Sequence, residues 1–151
     1  MTAGRDQRWL LCECLGETFG LELSGIQEII YRPSVLALPG LEPPRCGLVL
    51  WQGRSLTMVS LRLLRGRPEP PVSPVAVIVA DGGRQAGLLA DGIGETVRGP
   101  ELFPLHPSLC AGRAYLTRAF LWNGAAVFVL DLGILLAGLA PQTGRPAAPA
   151  D

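Results

Sequence analysis

Cys12-Glu13-Cys14 is the first place in this 151-residue chain where reactive side chains stand close together. Two thiols one residue apart fall on the same face of a strand. They make a metal site only if further ligands converge on them. The other cysteines, Cys46 and Cys110, are distant in sequence, and no two cysteines form a CxxC pair. The one histidine, His106, is wedged between Leu105 and Pro107. The pair therefore reads as small core hydrophobes of a reduced chain, with no metal expected. Acid–base and nucleophilic chemistry is equally short of material. Asp131 has no nucleophile–histidine pair beside it, and His106 has no evident orienting partner. Asp91-Gly92-Ile93-Gly94 lacks the third glycine and the following helix of a dinucleotide loop, so no cofactor is expected. Asp131 reads as a cap for the closing segment that begins at Ile134.

Composition agrees with a binding module. Apolar residues make up 48% and charged residues 17%, which is the balance of a folded core. All 13 basic residues are arginine, they match 13 acids, and none forms a basic stripe, which argues against a nucleic-acid partner. Arginine suits planar, partly buried contacts with other proteins. The N-terminal residues show no signal-peptide pattern, so a cytoplasmic location is expected. The most apolar stretch, Ala119 to Ala140, contains Asn123, Asp131 and three glycines. It reads as strand, hairpin and short helix, with no membrane insertion.

Those residues must be positioned by short strands. Gly 19 and Pro 14 punctuate apolar runs about as long as strands. Leu10 to Cys14 and Phe19 to Leu23 form one hairpin, Gly47 to Trp51 and Ser55 to Leu61 a second. Val75 to Ala80 is a continuous apolar run suited to burial on both faces, and Gln85 to Ala90 pairs back on it. Tyr115 to Trp122 and Ala125 to Leu132 form a later hairpin around Asn123-Gly124. Ile26 to Ile30 fits a short strand or a helical turn. The pattern also repeats: Gly20-Leu21 through Gly25-Ile26 and Glu28 returns 67 residues later as Gly87-Leu88 through Gly92-Ile93 and Glu95. Leu50-Trp51-Gln52-Gly53 and Ser60-Leu61 return 71 residues later as Leu121-Trp122-Asn123-Gly124 and Asp131-Leu132. A period near 70 suits a small barrel. The fold class expected is all-β, two packed five-stranded β-barrel subdomains and a short C-terminal helical segment. The expected partition is one domain over 8–139, with a first barrel roughly 15–66, a second roughly 75–132, and chain ends that can cross over. A Pro-rich linker at 65–74 joins them, and 141–151 forms a frayed tail.

This ordered set resembles the CheW family of chemotaxis coupling proteins. The resemblance rests on Phe19-Gly20-Leu21-Glu22-Leu23, Ile26-Gln27-Glu28-Ile29, Gly47 to Gly53, and Met58-Val59-Ser60-Leu61-Arg62. It continues with Ala90-Asp91-Gly92-Ile93, Tyr115-Leu116-Thr117 and Val127 to Leu132 with Leu135-Leu136. It implies a two-barrel, non-enzymatic adaptor. One barrel would bind the regulatory domain of a CheA-type histidine kinase. The groove between barrels would receive the cytoplasmic helical tip of a methyl-accepting chemoreceptor. The family's hairpin turn is asparagine-leucine-arginine-glycine, whereas this chain has Leu50-Trp51-Gln52-Gly53. The family arginine, placed at Gln52, pairs with the glutamate placed at Glu28. The acid usual at Ser60 is also absent, and Arg118 and Phe120 stand where the family keeps small residues.

The partner-binding residues expected are Ile26, Glu28, Trp51, Gln52, Gly53, Arg54 and Ile93. Each has a plainer reading. Glu28 is either a partner-facing charge or a solvated carboxylate, and Trp51 is an interface anchor or a barrel-end plug matched by Trp122. Ile26 and Ile93 belong to the core, with an edge in the groove. Gln52 or Arg54 would bond Glu28 in place of the family's arginine. The competing functions are a small enzyme on paired barrels, which lacks paired carboxylates, and a β-barrel module for nucleic acid or a ligand, unrelated to chemotaxis. The latter wants exposed aromatics beside a basic groove, and aromatics total 6% here.

Overall fold

The computed structural model describes residues 7–64, 67, 74–106 and 115–139. Eleven strands run in the order β1 (Arg8–Cys14), β2 (Glu17–Glu22), β3 (Ile26–Tyr31), β4 (Arg45–Trp51), β5 (Arg54–Ser60), β6 (Val75–Asp81), β7 (Arg84–Ala90), β8 (Gly92–Arg98), β9 (Phe103–Pro104), β10 (Leu116–Trp122) and β11 (Ala125–Leu130). Among the described residues two α-helices, α1 (Leu61–Leu64) and α2 (Leu132–Leu139), follow the β4–β5 and β10–β11 hairpins. Four hairpins turn on two residues that both have positive φ: Leu15-Gly16, Gln52-Gly53, Gly82-Gly83 and Asn123-Gly124. That is the geometry whose twist matches the flanking strands. Ile26 to Ile30, ambiguous in sequence, is a strand. Both helices are capped alike. Ser60 Oγ accepts from Leu63 N at 3.1 Å, and Asp131 Oδ1 accepts from Ile134 N at 3.0 Å, as expected for Asp131.

The strands form two sheets, six-stranded in the order β8-β1-β2-β11-β10-β9 and five-stranded in the order β3-β6-β7-β5-β4. Two corrections follow. Among the described residues the outermost strands of each sheet are not paired to one another, so these are curled open sheets rather than closed barrels, and the two-residue β9 makes one of them six-stranded. The division into 15–66 and 75–132 does not describe how strands group. One sheet takes its strands from Ile26 to Ala90, and the other from Arg8 to Glu22 and from Gly92 to Leu130. The cause is an exchange of hairpins between repeats. The β1–β2 hairpin of the first repeat joins β8, β10 and β11 of the second, and β6–β7 of the second joins β3, β4 and β5 of the first. Each hairpin is joined antiparallel on one side, β1 to β8 and β6 to β3, and parallel on the other, with Val129 opposite Gly20 and Met58 opposite Gly87, repeat-equivalent positions in both cases. The linker expected at 65–74 lies mostly outside the described residues, as does the tail expected at 141–151.

Exchange explains the burial pattern. β1 and β6 have a core on each face. Cys12, Cys14, Val75, Val77 and Val79 face a central core between the sheets, shared with Leu132, Leu135 and Leu136 of α2. Trp9 and Leu11 face a second core enclosed by the six-stranded sheet, with Phe120 and Val127. Ala76 and Ile78 face a third, with Val49, Trp51 and Met58, inside the five-stranded sheet. Continuous apolar runs are what strands buried on both faces require. Gly20 and Gly87 clear the way: an added Cβ would stand 3.3 Å from Phe120 Cε2 at the first and 2.5 Å from Met58 Sδ at the second. Among the described residues no group of three or more His, Cys, Asp or Glu could hold a metal, and no helix is long and apolar enough to cross a membrane.

Burial pushes the Cys12 thiol from 9.0 up to about 12, with nearby Cys14 adding to the shift. The folded state thus holds a proton that the unfolded chain releases above about pH 9. Stability from this group is complete below that pH and is lost as pH rises toward 12. In urea titrations Cys12→Ala should flatten that alkaline decline relative to the parent, even though it lowers stability at neutral pH. Gly87→Ala should cost about 1–3 kcal/mol by crowding Met58, read as a lower urea midpoint at unchanged m-value.

Candidate functional site

The tip of the β4–β5 hairpin holds four of the expected residues, Trp51, Gln52, Gly53 and Arg54, and β3 brings Glu28 to it. β3 and β4 are the two unpaired edges of the five-stranded sheet. Trp51 is only 8% exposed, its ring inside the sheet's own core, and its indole Nε1 donates to Glu28 Oε1 at 2.5 Å. The tryptophan is thus plug and clasp together: it fills the curl and ties the two edges across the gap that backbone pairing leaves. Beyond it, Leu36 of the segment that follows β3 lies against β4, where it and Leu48 donate their N–H groups to each other's carbonyls at 2.8 and 2.9 Å.

The other sheet repeats this arrangement at equivalent positions. Trp122 Nε1 donates to Glu95 Oε2 at 2.9 Å, tying β10 to β8. Phe103 of β9 pairs with Ala119, the counterparts of Leu36 and Leu48. Sequence reasoning assigned Trp51 and Glu28 separately to partner binding and did not join them. The signal was present, because Glu28 with Glu95 and Trp51 with Trp122 recur together in the repeat.

The substitutes expected for the family's arginine do not reach Glu28. Gln52 has φ 52° in the turn, and no side-chain hydrogen bond of Gln52 occurs among the described residues. Arg54 donates instead to Gln85 Oε1, and Gln85 Nε2 donates to Gln27 Oε1 at 2.6 Å, a polar ladder across the exposed side of the hairpin. Ile26 and Ile93 lie away from the tip. Both are half-buried and pack on the central core, opposite Val79 and Cys12 in register. Arg118 and Phe120, large where the family keeps small residues, are accommodated locally: Phe120 fills the space above Gly20, and the Arg118 guanidinium lies 5.9 Å from the Trp9 ring centroid.

Sequence reasoning missed the apolar surface around the clasps. Leu50 is 78% exposed and Leu121, its repeat counterpart, 65%. Beside Leu50, a slot of about 370 Å³ is lined by Ile30, Leu36, Leu48 and Val49. Tyr31 and Leu36 are exposed near it, and Phe103 is exposed at the other end. An outward leucine beside an inward tryptophan follows from strand alternation. Nothing in the local sequence tells which of Leu50 and Trp51 points in.

Trp51→Phe keeps an aromatic ring, smaller than the indole, and removes the donor, and Glu28→Gln removes the charge. A double-mutant cycle of urea midpoints should give a coupling of about 1 kcal/mol. A value near zero would mean that water replaces the indole without loss.

The family model for the CheW-like domain matches residues 8–139. The structure is similar to the crystal structure of the scaffolding protein TtCheW from Thermoanaerobacter tengcongensis. The TM-score is 0.74 at 17% sequence identity, over 83% of this chain and 88% of that one. No curated protein matches the sequence. With the domain model matched across all the described strands, the chain belongs to the CheW-like domain family.

Proposed function

We propose that the chain is a non-catalytic adaptor that couples chemoreceptors to a CheA-type histidine kinase. Family membership over residues 8–139 carries this reading. Exposed apolar surface supports it: each sheet presents an exposed leucine on a clasped hairpin, Leu50 on one and Leu121 on the other. A rigid apolar knob beside a slot is the material of a protein interface, with the enclosed tryptophan holding it in place. The kinase's regulatory domain docks against a sheet end, at Leu50 and Leu36. The receptor's helical tip lies along the junction between the sheets, on the open edges of Ile26 and Ile93, as a helix in a groove. Glu28 contributes less than a charged partner group would, because the Trp51 indole already occupies one of its oxygens. Gln52 offers a neutral donor where the family has a guanidinium.

The test is co-sedimentation and calorimetry of the full chain with a CheA-type regulatory domain and, separately, a receptor tip fragment. Leu50→Asp should weaken the kinase contact by about tenfold or more and leave the receptor contact unchanged. No binding of either partner at tens of micromolar would overturn the reading.

A further inference from the structure

The two halves build one strand pairing twice and fill it differently. In the five-stranded sheet, Arg32 N donates to Pro74 O at 2.9 Å, and beside that bond Tyr31 of β3 stands opposite Val75 of β6. In the six-stranded sheet, Gly99 N donates to Gln7 O at 2.8 Å, and beside that bond Arg98 of β8 stands opposite Arg8 of β1. The residues at the two places are repeat counterparts, 67 positions apart. The backbone arrangement is shared, so the change from a tyrosine–valine pair to two arginines is a matter of side chains alone.

That change works against the fold. Gln7 and Gly99 form a hydrogen-bonded step of the β1–β8 ladder, so Arg8 and Arg98 form the next step, where side chains come closest. Their Cβ atoms are about 5 Å apart on one face of the sheet, and like charges directly opposite destabilise a strand pair. An aromatic opposite a β-branched residue does the reverse. Both arginines are exposed, and neither has a hydrogen bond or ion pair among the described residues. Carboxylates on the neighbouring strand and on β8 itself are engaged elsewhere: Glu22 accepts from Gln7, and Glu95 accepts from Trp122. A local rule broken with no compensating contact inside the chain is the mark of a functional position.

We propose that Arg8 and Arg98 receive two carboxylates from a helix of a partner protein. Side chains three or four residues apart on a helix have Cβ atoms about 5–6 Å apart, the spacing that the two arginines present. An extended segment sets its same-side carboxylates farther apart, at nearly 7 Å, about two strand rises. Each guanidinium then forks onto its own carboxylate, and the same contact relieves the repulsion between them. The site is separate from the contacts proposed above. Leu50 belongs to the other sheet, and Ile93 lies five residues back along β8, about 16 Å away.

The test is an NMR titration of the full chain that follows the Nε–H signals of Arg8 and Arg98, assigned with Arg8→Gln and Arg98→Gln. The probe is an alanine-based helical peptide with two glutamates four residues apart. A saturable shift in the millimolar range is expected, since exposed ion pairs are individually weak. Either glutamine variant should bind the probe at least severalfold more weakly. So should the parent chain with a peptide whose glutamates stand two residues apart, on different sides of its helix. Arg8→Val with Arg98→Tyr, which installs the counterpart pair, should abolish binding and raise the urea midpoint of the free chain. No saturable shift, indifference to glutamate spacing, equal or tighter binding of inorganic phosphate, or a lowered midpoint in the double variant would each overturn the proposal.

Discussion

Four pairings carry the hairpins that each half of the chain lends to the other: β2 with β11 and β7 with β5 in parallel, β1 with β8 and β6 with β3 antiparallel. Everything else in the architecture follows from them. A lent hairpin is covered on one face by the sheet that receives it and on the other by the sheet across the junction, so β1 and β6 must be apolar on both faces. Neither half can enclose its own small core without the other's hairpin. The two sheets therefore form one cooperative unit rather than two domains on a linker, which agrees with a central core drawn from both repeats and from α2. Close approach at the joints is met by glycine, Gly20 under Phe120 and Gly87 under Met58.

The exchange leaves a gap. A five-stranded sheet with a lent hairpin in its middle has β3 and β4 as edges, and unpaired edges invite unwanted strand addition. This chain closes the gap by side chains and single bridges instead of a full ladder: Trp51 to Glu28 near the hairpin tip and Leu36 to Leu48 beyond it, with Trp122 to Glu95 and Phe103 to Ala119 in the other sheet. Alternation along β4 and β10 then decides the surface. If the tryptophan of each hairpin points inward, the preceding leucine must point outward. The exposed apolar ends and the internal clasps are thus one feature seen from two sides.

The strands, their hairpins, the Asp131 cap and the all-β class were legible because each leaves a local mark, such as alternation, a two-residue turn or a capping side chain. Strand grouping was not. Local pattern marks Val75 to Ala80 as buried on both faces, but it does not say which sheet receives the strand, because parallel joints between β5 and β7 carry no turn sequence of their own. The proline-rich stretch between the repeats drew the boundary to the wrong place for that reason. Among the candidate residues, the recurrence of Glu28 and Trp51 held the clasp in plain form. Gln52 and Arg54 were harder, since direction at a two-residue turn depends on twist: Arg54 leans to Gln85 and Gln27, away from Glu28.

The repeat also separates what the fold needs from what it does not. Turns, caps, clasps and joint glycines recur in both halves, each with a mechanical role that an exchanged pair of hairpins imposes twice. Arg62 and Asp91 recur in neither form: their counterparts are Gly133 and Ser24. One side of the junction is consequently locked by a bidentate pair whose members are each about one-third exposed, and the opposite side opens into an acid-lined hollow. A duplicated scaffold that needed this lock for stability would keep it on both sides, since each junction joins the same elements. Keeping it on one side alone means that the central core, continuous from Cys12 to Leu136, holds the halves together without it.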